Sequence, residues 1–174
     1  VALVRLVSVG RVELIPRLGA RILPIRADDM REIYEIMTSF EPDAAAQIAA
    51  RNPTAQELRP MEEATTDMEE ALVRGDLDGW ADADDRFHLS LLDLHGNRRM
   101  RGFIAELNDQ AHRARMVTLR LRDAPVQSNE EHRVILDALS RGDTDAAREA
   151  FFAHRRRAAK ELVDILEKSG IGQL

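Results

Sequence analysis

From residue 28 to residue 168 this sequence keeps one rhythm. Apolar side chains recur at three- and four-residue intervals, and that rhythm limits the fold more than any other feature. It predicts helices over 29–51, 55–74, 77–95, 98–122, 129–141 and 144–168. Thr54 followed by Glu57, and Ser128 followed by Glu131, fit the pattern in which a hydroxyl and a carboxylate cap each other's free amides. Glu131 is thereby given a capping role. Residues 71–78 and 138–145 match at six of eight positions, and both read as a helix ending at Gly, then Asp opening the next helix. The likeness stops at the corner, so it marks a reused turn rather than a repeat. The expected architecture is an all-α antiparallel bundle.

Residues 1–27 differ in kind. Val12-Glu13-Leu14-Ile15 and Ala20-Arg21-Ile22-Leu23 alternate and are β-branched, and Pro16-Arg17-Leu18-Gly19 between them reads as a hairpin turn. Residues 2–7 read as the tail of a helix that stops at Gly10. The first residue is Val1, and the chain is expected to be part of a longer polypeptide. No run of 18 apolar residues is present, so no membrane span is expected, and a cytoplasmic location is the plain reading. A formal net charge of −6 argues against a chain that is mainly a nucleic-acid surface.

Within the helical region one polar set stands out: Asp84, His88, His132 and His154. Asp84 and His88 are four apart and share a helix face, with Cβ atoms about 5–6 Å apart. His132 precedes Gly142 by 10 residues and His154 follows it by 12. On antiparallel helices both then lie about 15–18 Å from the turn, side by side. With no cysteine in the chain, a metal would be held by nitrogen and oxygen alone. Spacing alone leaves two readings open, a shared ion or ordinary histidines satisfied on the surface or in the core. His132 is placed in the first turn after a Ser128 cap, where the helix dipole keeps the ring neutral and able to coordinate. A divalent ion with one carboxylate and neutral imidazoles retains positive charge and up to two open positions, which suits an organic carboxylate. Zn or Ni is expected on affinity order, with Mn or Fe possible by availability.

Asn108, His112, Arg115 and Leu119 fall on one stripe. Arg115, then Arg113, with Asn108 and His112, are the candidates for binding such an effector. His95 reads as a helix-end residue, Asp85 as facing away from the ion, and the arginines after His154 as a solvated face. Phe87, Leu91, Phe103, Leu107, Phe151 and Phe152 are core candidates, and Trp80 reads as core or interface.

Several of these motifs occur together in one order: Glu32-Ile33-Tyr34-Glu35-Ile36, Phe40-Glu41-Pro42, Asp84, Phe87-His88, Gly96-Asn97, Ser128, Glu131-His132, Gly142-Asp143 and His154. In this the chain resembles the FCD ligand-binding domain of the FadR-like branch of GntR transcription regulators, over most of residues 29–167. The resemblance implies a divalent metal in the bundle's cavity, with Asp84, His88, His132 and His154 matching its ligand positions. It implies that residues 1–25 are the end of a winged helix-turn-helix domain and 28–168 the metal- and effector-binding domain. Many members carry an arginine, used to hold an effector acid, where this chain has Met37.

The leading expectation is a metabolite-responsive regulator, not an enzyme, that binds operator DNA as a homodimer. Arg17, Gly19 and Arg21 at the wing would approach the DNA backbone or minor groove. A metal-dependent hydrolase and a structural metal-stabilised dimerisation module are the alternatives.

Overall fold

The computed structural model describes residues 12–15 and 19–170. Strands β1 (Val12–Ile15) and β2 (Gly19–Ile22) pair antiparallel, with Val12 opposite Ile22 and Ile15 opposite Gly19. Gly19 has φ 108, a backbone that residues with a Cβ rarely adopt, which suits the start of the return strand. Arg21 faces Glu13 across the ladder and donates to it at 2.8 Å. Arg17, the rest of the turn tip and the expected helical tail at residues 2–7 lie outside the described residues.

Six helices follow among the described residues: α1 (Ala27–Ala50), α2 (Ala55–Arg74), α3 (Leu77–His95), α4 (Arg98–Thr118), α5 (Val126–Ser140) and α6 (Thr144–Ser169). The caps explain most boundaries. Thr54 accepts from the Glu57 amide while its own amide donates to the Glu57 carboxylate. Gly75 and Gly142 close their corners at φ 67 and 68, and Asp76 and Asp143 then cap the next helices.

Two boundaries differ from the sequence reading. α4 stops at Thr118 and runs on as a short 3-10 turn, Leu119–Leu121. α5 begins at Val126, a turn earlier than expected. Pro125 is the reason: its ring fixes a helix-compatible φ, −79 here, so the helix starts directly after it. Ser128 is therefore inside the helix, the cap with Glu131 does not form, and the Glu131 side chain is left for other work.

α1 packs along α6 and α2 along α3. Two apolar clusters fill the bundle. One joins α2, α3, α5 and neighbouring parts of α1 and α6 around Trp80, Phe87 and Phe151. The other joins the start of α1, α4 and the end of α6 around Tyr34, Met37 and Leu162. Phe103 and Phe152 are exposed rather than core. Phe103 meets Phe40 edge-on at 6.3 Å, and Phe152 lies under the Arg156 guanidinium.

Candidate metal centre

Between the two apolar clusters the expected polar set comes together. The His132 Nε2 is 3.3 Å from the His154 Nε2, which is 3.4 Å from the His88 Nε2. Asp84 Oδ1 lies 3.7 Å from both His88 Nε2 and His132 Nε2. Donors about 2.1 Å from one ion would sit roughly 3.0–3.4 Å apart, so this spacing fits a shared ion with small adjustments. Each residue is buried, as the amphipathic faces of α3, α5 and α6 require. Phe87 stacks on His132 at 4.1 Å and Phe151 packs edge-on to His88, which fixes the ring planes.

The donor chemistry fits a cation. Burial holds the imidazoles of His88 and His132 well below their ordinary pKa, helped by Arg155 near the first and His154 near the second. The neutral state thus comes from burial and neighbours, not from the first-turn dipole, because His132 lies beyond the first turn of α5. Burial lowers His154 less decisively, since Glu131 accepts from its Nδ1 at 2.7 Å. That bond leaves the Nε2 lone pair aimed at the other donors. Burial works to raise the Asp84 carboxyl, but the Arg115 guanidinium holds it well below the usual carboxylate range. With the imidazoles neutral, Arg115 is the charge that keeps Asp84 ionised. Its Nε lies 3.1 Å from Oδ2, the oxygen turned away from the histidines.

Around this cluster is a cavity of about 20 Å³, lined in part by Tyr34, Asp84, Arg115, Arg122, Ser128 and Arg155. Arg115 therefore stands where the stripe on α4 put it. Asn108 is buried and donates to Asp85 at 2.5 Å. Asp85 is not among the residues that line the cavity: its carboxyl, raised by burial, accepts from Asn108 and lies 3.7 Å from Arg115. His112 is partly exposed, 3.7 Å from Asp82. Arg113 is not brought to the cavity. Its guanidinium donates to the Leu23 carbonyl at 2.6 Å, because residues two apart on a helix point about 200° from each other. His95 pairs with Gln47 near its helix end.

Three features escaped the sequence reading. Glu131 carries His154 and is itself gripped by Arg157 through two bonds of 2.5 and 2.7 Å. Arg157 also reaches Ser128 at 2.8 Å and Glu161 at 2.9 Å. Arg155, read as solvated, is buried and makes a two-point ion pair with buried Glu41. Arg122 lines the cavity and is paired with Glu161. Pro125 was the available signal for Glu131, since it moves the helix start away from Ser128.

The fold and the cluster define a class: an antiparallel helical bundle with a buried set of nitrogen and oxygen donors. The FCD domain model matches residues 32–157. The chain belongs to the FCD domain family, among the GntR-type transcription regulators. It is 26% identical over 153 residues to the HTH-type transcriptional regulator YdhC of Bacillus subtilis, covering 87% of this chain and 68% of that protein. An HTH-type regulator from Agrobacterium vitis is 38% identical over 93 residues, 52% of this chain and 54% of the relative. The chain thus spans about half the length of that relative. Among solved structures, Escherichia coli McbR/YncC superposes with a TM-score of 0.82 at 21% identity, covering 92% of this chain and 81% of that one. The metal-free FCD domain of TM0439 gives 0.66 at 22% identity, with 82% and 97% covered. No helix among the described residues is long and apolar enough to cross a membrane.

Proposed function

We propose that this chain is the sensing part of a DNA-binding, homodimeric transcription regulator, and that its histidine cluster holds a divalent ion beside which a small organic acid binds. The single observation that carries this reading is the convergence of Asp84, His88, His132 and His154 in one buried cluster beside the Arg115 guanidinium. Three neutral imidazoles and one carboxylate suit Zn or Ni, with Mn or Fe admitted by the oxygen donor. Arg115 and the ion would draw a carboxylate head group, and Asp85, held by Asn108, flanks Arg115.

A sensor is favoured over a hydrolase because the two nearest spare carboxylates are engaged. Asp85 accepts from Asn108, and Glu131 is held between His154 and Arg157. The antiparallel pairing of β1 and β2 supports the wing reading, with Gly19 and Arg21 on the return strand and Arg17 in the turn of the sequence. The segment from Leu23 to Arg26 joins it to α1, and a dimer would match two such wings to a two-fold operator.

Elemental analysis tests the metal. The purified chain should carry one divalent ion per protomer, and the His132→Ala/His154→Ala double variant should carry none. Equal stoichiometry in the two would refute the assignment. Gel shifts of the full-length regulator at fixed salt, with and without an added acid, test the switch.

A further inference from the structure

The cavity beside the histidines has room for about one water molecule, at about 20 Å³. Directly outside it, between α1 and α6, runs an open groove of about 620 Å³. Tyr34 lines both spaces. The alternation along α6 is consistent with this: Ala158 and Leu162 face the cavity, whereas Ala159 and Val163 face the groove. Tyr34 is almost fully buried, with the Arg155 guanidinium 5.9 Å from its ring centroid. Tyr34 is thus the residue shared by the small buried cavity and the open trough.

The trough has a charged rim that is mostly satisfied from within. Lys160 pairs with Asp164, Arg31 pairs with Glu167, and Arg156 lies over the Phe152 ring at 5.5 Å. A ligand would meet chiefly the apolar floor of Ala159, Val163 and the exposed Phe152. We infer that the groove is the tail subsite of the effector site, reached by displacement of the Tyr34 ring, and that the preferred ligand is a monocarboxylic acid with an apolar tail. Its head lies at Arg115 and the histidine cluster, and its tail along Ala159, Val163 and Phe152. This rests on the carboxylate reading of the cavity given above. A short acid gains nothing from the groove, while each methylene laid on its floor adds to affinity.

The experiment is calorimetric titration of the Zn-loaded chain with the saturated monocarboxylic acids from acetate to decanoate. The association constant is expected to rise roughly fourfold per methylene over the middle of the series. Ala159→Trp, which fills the floor, should bind acetate as the parent does but lose the dependence on chain length. Phe152→Glu, at an exposed position that leaves the core intact, should flatten the series in the same way. A flat series in the parent, with acetate still bound, overturns the tail subsite and leaves the carboxylate reading standing. Absence of binding at every chain length overturns both. If a second copy of the chain covers the groove instead, Phe152→Glu will dissociate a dimer in sedimentation runs and leave the acid series unchanged, which also overturns the proposal.

Discussion

Glu41 on α1 and Arg155 on α6, 114 residues apart, form a two-point ion pair with bonds of 2.5 and 2.7 Å, sealed from solvent beside the histidine cluster. Removing one partner strands the other charge in the interior. Glu41→Ala should therefore cost about 3–5 kcal/mol in urea unfolding. Replacing both members with methionine should recover much of that loss, because an apolar pair of similar volume avoids two desolvation costs. A Glu41→Ala loss under about 1 kcal/mol would mean that water reaches the guanidinium.

Glu131 should govern metal affinity without touching the ion. Its bond to the His154 Nδ1 orients the ring and keeps the Nε2 lone pair inward. Chelator competition should show Zn affinity falling about 10- to 100-fold in Glu131→Ala. Glu131→Gln retains an acceptor and should fall between that variant and the parent. Three indistinguishable affinities would leave His154 oriented by packing alone.

The metal-free chain should weaken as it is acidified below about pH 6.5. His88 and His132 have folded pKa values held well below the ordinary histidine value. Above that value neither state binds the proton. Below it the unfolded chain takes up protons that the folded chain refuses, so each imidazole costs about 1.4 kcal/mol per pH unit until the folded form also protonates. Asp84, held low, adds a further loss only below the ordinary carboxylate range, as pH falls toward its folded value. Urea midpoints measured in chelator from pH 8 to pH 5 check the sign. A constant midpoint across that window contradicts the buried neutral state.

The two look-alike corners should respond differently to the same substitution. Alanine at Gly75 or Gly142 must adopt a left-handed backbone, at about 1–2 kcal/mol. At Gly75 the new methyl group meets open space, whereas at Gly142 it would fall 2.2 Å from the Asn52 Oδ1. Thermal melts should show the larger loss for Gly142→Ala. Asn52→Gly, which retains a residue tolerant of the positive φ at 52, should erase the difference. Equal losses in the original background would show that Asn52 simply turns aside.

How much was legible follows the range of each interaction. Asp84 and His88 could be paired from a four-residue interval because helical geometry is local. His132 and His154 could be aligned by counting from Gly142, because one tight corner fixes the register of two antiparallel helices. Arg155 could not be read, since nothing in a run of arginines says which one meets a glutamate over a hundred residues away. Glu131 was misread where two local signals competed, and proline prevailed over the hydroxyl cap. Arg113 and Arg115 were separable in principle, because two positions apart on a helix cannot share a wall. Phe103 and Phe152 show the opposite failure: an aromatic residue at helical spacing need not be inside.

The donors of the histidine cluster stand on α3, α5 and α6, and none stands on α4. Yet α4 is the helix that meets Asp84 through Arg115 and holds the hairpin-side segment through Arg113 and the Leu23 carbonyl. The bundle thus divides into a frame that carries the donors and a follower, α4, that meets Asp84 through one ion pair. An ion seated in the frame makes no direct bond to the follower. A ligand that draws on Arg115 pulls on the same rigid rod that grips the polypeptide leading to the hairpin. On the proposed function, loading of an ion and reporting of a ligand would then fall to different helices.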